Sequence, residues 1–170
     1  MGMLAVCVLV CAVMVQIKAA AVPHVKSKRM EATKGLEKHR GHCGRDWTLI
    51  NNRCFRYMPA PKSWAQAERS CISMGATLAS VHSIEEYHEI QSVTDTYGYK
   101  QTWIGGSDAQ EERVWLWTDA SAFGYTNWCP GEPNDLGGSQ HCLQMNFSPE
   151  KCWDDAVCSD LLPYICARKM

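Results

Sequence analysis

Residues 128–158, WCPGEPNDLGGSQHCLQMNFSPEKCWDDAVC, are the stretch around which the rest of the chain is interpreted. Glycine, proline and polar residues are so frequent here that we expect an irregular loop rather than a helix or a strand. Its oxygen-bearing side chains could converge on a hard cation such as Ca2+, which binds carboxylate and amide oxygens. They are Glu132, Asn134, Asp135, Gln140, Asp154 and Asp155, and they lie among Cys129, Cys142, Cys152 and Cys158.

The N-terminal residues predict export. Residues 1–15 form an apolar run that is too short to span a bilayer comfortably, and the small residues Ala19, Ala20 and Ala21 after it suit signal peptidase. We therefore predict a cleaved signal peptide over residues 1–20 and a secreted, extracellular protein without a transmembrane anchor. A retained anchor is the alternative, and the run does lack the usual Lys or Arg at its start.

The cysteine content agrees with an exported chain. Ten cysteines are present, and removal of the signal peptide takes away Cys7 and Cys11 and leaves eight. An even number of cysteines in an exported protein predicts four disulfides. Eight cysteines can pair in about 105 ways, so the spacing alone does not give the pairing.

The next segment, residues 21–42, is basic and poor in core residues, which predicts a linker or a propeptide. A solvated extension is the simplest interpretation, and adhesion to anionic surfaces or processing after Lys28-Arg29 are alternatives. The packed domain is expected over residues 43–170. The formal net charge of −1 gives no indication of a nucleic-acid partner.

Residues 54–58 alternate as a strand that Pro59 and Pro61 end, and two helices are predicted after it. Ser63 followed by Gln66, and Ser83 followed by Glu86, have the spacing of reciprocal N-terminal capping boxes. The apolar residues expected to face the core are Trp64, Ala67, Cys71 and Met74 in the first helix and Ile84, Tyr87 and Ile90 in the second.

Short β-strands are predicted after the helices. Residues 102–104 and the aromatic stretch 114–118 are typical of core strands, and residues 143–146, Trp153 and residues 164–166 are further candidates. Two helices close together between strands indicate an α+β fold. Trp128 and Trp153 are the expected supports of the long loop.

Taken together, residues 43–168 resemble a C-type lectin-like domain of the long form, and in particular the secreted fish group that contains type II antifreeze proteins and ladderlectin-like lectins. The resemblance rests on the Cys43 and Cys54 pair, Cys71 in the first helix, the Trp103-Ile104-Gly105-Gly106 motif, Glu132-Pro133-Asn134, and Trp153-Asp154-Asp155 with Cys142, Cys158 and Cys166 in the family's order. It implies an α+β fold with two helices, small antiparallel sheets and a long disulfide-tied loop region. The implied disulfides are Cys43–Cys54, Cys71–Cys166, Cys129–Cys152 and Cys142–Cys158.

The resemblance also implies Ca2+ as the cofactor. The family's principal calcium site falls on Glu132, Asn134, Gln140, Asp154 and Asp155, and the Glu132-Pro133 peptide bond is typically cis in this family. Gln140 stands where a Glu is usual and Asp154 where an Asn is usual, so the number of carboxylates is roughly restored. Asp108, Glu112 and Asp135 match an auxiliary calcium site.

The expected ligand is a glycan. In the family, the bound ion takes two vicinal hydroxyls of a sugar, with Glu132, Asn134, Gln140 and Asp154 as the carbohydrate-binding positions. The order acid–Pro–amide goes with mannose-type sugars, and residues 135–139 contain no aromatic ring of the kind that galactose sites usually place there. We therefore expect a mannose-type lectin that recognises microbial surface glycans in innate defence and assembles, if at all, into a non-covalent homo-oligomer.

Other functions remain as alternatives. They are galactose binding, calcium-dependent ice binding, and calcium-independent protein binding through the same loops. An enzyme is not expected, because the sequence contains no Gly-x-Ser-x-Gly elbow and no phosphate loop, and His88-Glu89 lacks the second His of a zinc protease. His141 is interpreted as a surface or loop residue, and Asn146-Phe147-Ser148 is a glycosylation sequon that Pro149 is expected to weaken.

Overall fold

The computed structural model describes residues 43–170. The predicted signal peptide and the basic segment 21–42 lie outside the described residues. In chain order the elements are β1 (Thr48–Ile50), β2 (Arg53–Lys62), α1 (Trp64–Ile72), β3 (Thr77–Leu78), α2 (Ile84–Ser92), a 3-10 turn (Asp95–Tyr97), β4 (Thr102–Ser107), β5 (Leu116–Trp117), β6 (Gln140–Phe147), β7 (Cys152–Val157) and β8 (Leu162–Lys169). The two helices and the strands give the α+β fold that the sequence predicts.

The strands form one sheet in the order β1-β2-β8-β4-β6-β7, with β3 added to β8 and β5 added to β4. All pairs are antiparallel except β4 with β8, which is parallel at Trp103 and Tyr164. The separate small antiparallel sheets of the prediction are therefore joined into one mixed sheet. The C-terminal strand β8 makes the connection, because it lies between β2 and β4.

The helix starts are only partly as predicted. At α2, Ser83 Oγ accepts a hydrogen bond from Glu86 N–H at 3.1 Å, as a capping box requires. At α1, Ser63 makes no side-chain cap; instead Trp64 N–H donates to the carbonyl of Cys158 at 3.0 Å. A backbone acceptor from a distant segment has replaced the local one, which the spacing of Ser63 and Gln66 could not reveal.

The predicted buried faces of the helices are confirmed at most positions. Ala67 and Cys71 of α1 and Tyr87 and Ile90 of α2 are buried, and Trp64 is partly buried. Helix α1 ends at Ile72, so Met74 lies beyond it and is partly buried. Ile84 is 39% exposed at the first turn of α2, so the prediction for Ile84 was wrong.

The strand predictions need two corrections. The strand predicted over residues 114–118 is limited to β5, although Trp115 and Trp117 do share a buried face while Val114 and Leu116 are exposed. The stretch 128–158, expected to be irregular apart from the strand candidates at residues 143–146 and Trp153, contains the longer strands β6 and β7, which confirm both candidates, and the candidate at residues 164–166 lies in β8. Its loop character is confined to residues 128–139 and the turn between those two strands, because residues 142–146 are buried and bind neighbouring strands on both sides.

Trp153 lies at the centre of an aromatic cluster. Its side chain is fully buried, and rings of Tyr125, Trp117, Trp128, Tyr87 and Phe123 lie with their centroids 5.5, 5.8, 5.8, 6.1 and 6.3 Å from it. All five contacts are edge-on, an arrangement that aromatic pairs favour. The expected roles of Trp128 and Trp153 as supports of the loop agree with this packing.

The Gly105-Gly106 pair lies in β4 where its neighbours leave no room for a side chain. A Cβ at Gly105 would meet the Leu78 carbonyl oxygen at 2.8 Å, and one at Gly106 would meet the Leu143 side chain at 2.7 Å. The two glycines therefore allow β4 to pack tightly against its neighbours in the sheet core.

Among residues 43–170, neither helix is long and apolar enough to cross a membrane.

Candidate metal and ligand site

The site is built on the β6–β7 hairpin and on the loop before it. Cys129–Cys152 joins the start of the loop to the first residue of β7, and Cys142–Cys158 closes the hairpin. With Cys43–Cys54 and Cys71–Cys166, these are the same four pairs that the resemblance implies. Both ends of the loop are thus tied to the sheet.

The backbone of Trp153 fixes where the loop starts. Its N–H donates to the carbonyl of Asn127 at 2.8 Å, and its carbonyl accepts from Cys129 N–H at 2.8 Å. Residues 127–129 therefore lie alongside β7 as a short parallel partner. Asp154 and Asp155 follow Trp153 directly, so the packing of one tryptophan places both carboxylates beside the loop.

Three carboxylates converge at this point. Glu132, Asp154 and Asp155 each offer one oxygen, and the three oxygens lie within 4.8 Å of one another. Asp154 and Asp155 are only 5% and 1% exposed. Among residues 43–170, no Lys or Arg lies within 4.0 Å of any of them.

The unpaired charge indicates what these residues can hold. Glu132 Oε2 is buried and has no hydrogen-bond partner within the described part of the chain. A buried carboxylate oxygen without a partner carries a desolvation cost that a bound cation would remove. Because oxygen atoms make up the whole set of donors, the residues present suit Ca2+.

Asp155 organises the loop as well as contributing charge. Its Oδ1 accepts from Asn134 N–H at 3.0 Å and its Oδ2 from Asp135 N–H at 2.7 Å. The peptide bond between Glu132 and Pro133 is cis, as the resemblance implies. The loop thus turns at Pro133 and is held immediately afterwards by one buried carboxylate.

Gln140 and Asp135 brace the rest of the loop. Gln140 Oε1 accepts from Leu136 N–H at 2.6 Å, and Gln140 N–H donates to Asp135 Oδ1 at 3.0 Å. Asp135 has a φ of 44°, a left-handed conformation that the reciprocal bonds hold in place. Glu132 is half-buried and Asn134 is exposed, so both side chains are accessible to a ligand at the edge of the loop.

Gln144 is a site residue that the sequence did not identify. It faces Asp154 across the β6–β7 ladder, and its Nε2 donates to Asp154 Oδ2 at 2.6 Å. Both side chains are buried. The only indication in the sequence was that Gln144 is polar between the apolar residues Leu143 and Met145 of a predicted strand, and its partner depends on the hairpin register.

Burial and mutual repulsion raise the pKa of the clustered carboxyls. Desolvation, followed by the neighbouring carboxylates of Asp154 and Asp155, raises the pKa of Glu132 to about 7. Burial also raises the pKa of Asp154, while the hydrogen bond from Gln144 opposes this. In the metal-free protein, Glu132 therefore holds a proton at mildly acidic pH.

This leads to a prediction about pH. Because Ca2+ needs the ionised carboxylate and competes with the proton on Glu132, calcium affinity should fall by up to about tenfold per pH unit below pH 7 and level off above about pH 8. Calorimetric Ca2+ titrations in two buffers of different ionisation enthalpy would count the released proton. Glu132→Gln should bind Ca2+ more weakly and lose this pH dependence. A wild-type affinity that does not change between about pH 6 and 8 would contradict the assignment of Glu132 as a ligand.

The residues of the expected auxiliary calcium site are not all grouped together. Asp108 and Glu112 lie with His141, within 4.8 Å of one another, in the only other cluster of this kind among residues 43–170. Asp135 is not part of it, since its carboxylate accepts from Gln140 N–H. His141, expected at the surface or in a loop, is a half-buried residue of β6.

The sequon at Asn146 is also part of the packed sheet. Asn146 is 3% exposed, and its Nδ2 donates to Thr94 Oγ1 at 3.0 Å and to the Lys100 carbonyl at 3.1 Å. Nδ2 is the atom that N-glycosylation would modify. A glycan there is incompatible with this packing.

Comparison with known proteins agrees with the fold. Residues 60–168 match the family model for the lectin C-type domain. Ladderlectin from Oncorhynchus mykiss is 40% identical over 142 residues, covering 82% of this chain and 75% of that protein. A type-2 ice-structuring protein from Osmerus mordax is 39% identical over 160 residues, covering 94% and 89%. The solved structure of herring type II antifreeze protein superposes with a TM-score of 0.72 at 39% identity, covering 75% of this chain and 99% of that one.

Proposed function

This chain belongs to the lectin C-type domain family, and we propose that it is a secreted, calcium-dependent glycan-binding protein rather than an enzyme. The observation that supports this most strongly is the cluster of Glu132, Asp154 and Asp155, which has no cationic partner and includes a buried, unpaired oxygen. We assign Ca2+ to these three residues together with Asn134 and Gln140. When bound, Ca2+ would supply coordination positions for two vicinal hydroxyls of a sugar.

The protein's own residues would select the sugar. The Glu132 carboxylate can accept a hydrogen bond from a hydroxyl, and the Asn134 amide can donate one. Asp155 holds the backbone of Asn134 in place, and Gln144 holds the Asp154 carboxylate. With the order acid–Pro–amide, we propose a preference for mannose-type sugars at the positions Glu132, Asn134, Gln140 and Asp154; galactose is the alternative.

Exchanging the two side chains tests the preference. The double variant Glu132→Gln plus Asn134→Asp reverses the order of acceptor and amide, so it should lose mannose-type binding and gain galactose binding. A glycan array with Ca2+ and with a chelator measures both sugars at once. The same chemical changes at two exposed positions far from the loop, Glu89→Gln plus Asn52→Asp, provide a matched control.

Several results would overturn this proposal. Glycan binding that is unchanged in chelator would exclude the calcium mechanism and favour a protein-binding function of the same loops. Galactose binding by the wild type, without mannose binding, would reverse the assigned specificity.

Microbial surfaces are the proposed targets, because they present many copies of one sugar. A single site of this kind binds a monosaccharide at about millimolar Kd, or roughly −4 kcal/mol. Useful binding then requires several sites on one surface, which a homo-oligomer would supply. All eight cysteines of residues 43–170 are paired, so we propose non-covalent assembly of this part of the chain.

Ice binding is the second candidate, favoured by the similarity to the ice-structuring and antifreeze proteins. Against it, residues 132–140 contain no Thr, whose methyl and hydroxyl groups could match an ice surface. If the purified protein showed thermal hysteresis with Ca2+ and none with a chelator, ice binding would become the leading candidate.

A further inference from the structure

A second cluster of metal-binding side chains lies next to the calcium loop. His141 Nδ1 is 3.2 Å from Asp108 Oδ1 and 3.5 Å from Glu112 Oε2. His141 lies in β6, immediately after Gln140, and Asp108 immediately follows the last residue of β4. The cluster therefore joins the start of β6 to the segment that follows β4.

The spacing of the three atoms matches a small metal ion. Four ligands at 2.0–2.1 Å from a tetrahedral Zn2+ are separated by about 3.3–3.4 Å from one another. The two measured separations from Nδ1, 3.2 and 3.5 Å, bracket this value. Two of the three separations thus match those between the corners of such a tetrahedron, and all three atoms lie within 4.8 Å of one another.

Hydrogen bonds hold the Asp108 carboxylate and the backbone of His141 beside each other. Asp108 Oδ2 accepts from the backbone N–H of Arg113 at 2.8 Å, which leaves Oδ1 directed at the imidazole. A hydrogen bond that orients a carboxylate ligand in this way is typical of metal sites. The His141 backbone carbonyl accepts from Ser107 Oγ at 2.8 Å and from Asp108 N–H at 3.2 Å, which places the two residues side by side.

The charge of the cluster is not balanced by the protein. The Asp108 side chain is 2% exposed, and among residues 43–170 its carboxylate has no Lys or Arg within 4.0 Å. Glu112 has only Arg113, at 4.0 Å and with its side chain 88% exposed. A buried carboxylate whose only ionisable partner is an imidazole is costly unless that imidazole is charged or a cation is bound.

The types of donor decide which cation suits this cluster. Ca2+ takes six to eight oxygen ligands, whereas imidazole suits zinc and related transition metals. Among residues 43–170, only two carboxylates belong to this cluster, and Asp135 is not one of them. We propose that Asp108, Glu112 and His141 form a binding site for a transition metal of the Zn2+ class, distinct from the calcium site. The fourth position faces solvent, since Glu112 and His141 are 46% and 31% exposed.

The consequence would be a metal cross-link beside the ligand loop. Zinc would fasten residues 108–112 to the start of β6, where Gln140 braces the loop through Leu136. The inference does not depend on glycan binding, since it concerns a different cation and different residues.

The experiment is a Zn2+ titration of the full chain by calorimetry, at saturating Ca2+. We expect the wild type to bind one equivalent of Zn2+ that His141→Gln loses, with an affinity change of at least about tenfold, because a direct ligand should matter at least as much as an outer partner. His88→Gln, which changes an exposed histidine on α2, is the matched control and should retain the equivalent. Co2+ in place of Zn2+ should give the visible absorption bands of a four-coordinate ion in the wild type and in His88→Gln, but not in His141→Gln.

Unchanged calcium affinity and far-UV circular dichroism in His141→Gln would show that the variant is folded. Equal Zn2+ binding by the wild type and His141→Gln would overturn the proposal. So would Zn2+ binding that occurs without Ca2+ but disappears at saturating Ca2+, since that would make the cluster an oxygen-type calcium site.

Discussion

Replacing Asp155 with Asn is expected to weaken Ca2+ binding by about 100-fold or more, the upper end of the losses seen when groups that orient a metal site are removed. Asp155 has two functions at once, because its oxygens accept from the backbone N–H groups of Asn134 and Asp135 and also belong to the carboxylate cluster. Asparagine has one oxygen and no charge. Its NH2 group would face a backbone N–H, so the loop would lose a hydrogen bond together with a metal ligand. Calorimetric Ca2+ titration measures the loss directly, and glycan binding should disappear with it.

The neighbouring substitution Asp154→Asn is the informative comparison. It removes the same charge from the preceding residue of β7. The Asn oxygen can still accept from Gln144 Nε2, as Asp154 Oδ2 does at 2.6 Å. We expect a loss of less than about tenfold there, since no orienting hydrogen bond is removed. Asp160→Asn, at an exposed position outside the site, should leave affinity unchanged. Equal losses at Asp154 and Asp155 would mean that only total charge matters and that the backbone contacts of Asp155 do not.

The largest effect on stability is expected for Trp153→Ala, at about 3–5 kcal/mol in the free energy of unfolding. The side chain is fully buried and touches five aromatic rings, so its removal leaves a large cavity that the rigid sheet cannot close. Domains of this size are stable by about 5–15 kcal/mol, so the loss is a large part of the total. Urea unfolding followed by circular dichroism, with the disulfides intact, measures it.

Trp47→Ala is the matched control for this substitution. Trp47 is only half-buried and its ring stacks under the Arg168 guanidinium at 4.3 Å, a contact worth about 0.5–1 kcal/mol near the surface. The two variants should therefore differ clearly in urea midpoint. If both lost the same amount, Trp153 would not be the central support of the site.

Local sequence patterns predicted those parts of the fold that depend on neighbours in the chain. The apolar spacing of Ala67 and Cys71 placed the buried face of α1, and the spacing of Ser83 and Glu86 placed the start of α2. The same kind of reasoning failed at Ser63, where the first N–H of the helix is bonded to the carbonyl of Cys158, ninety-four positions further along the chain than Trp64. A local pattern cannot indicate a partner that is supplied by a distant segment.

The chemical groups of the candidate site can be read directly from the sequence: an oxygen-rich, proline-containing loop between cysteines, followed by two consecutive aspartates. Their arrangement depends on how distant segments pack together. Consecutive strand residues normally point to opposite faces, yet Asp154 and Asp155 both reach Glu132, because the disulfides and Trp153 bring the loop against β7. The register of the β6–β7 hairpin pairs Gln144 with Asp154. The start of β6 brings His141 to Asp108, whereas Asp135 accepts a hydrogen bond from Gln140 N–H. The physical reason is that ligand chemistry is a property of each residue, whereas distance and unpaired charge arise only when separated segments pack together.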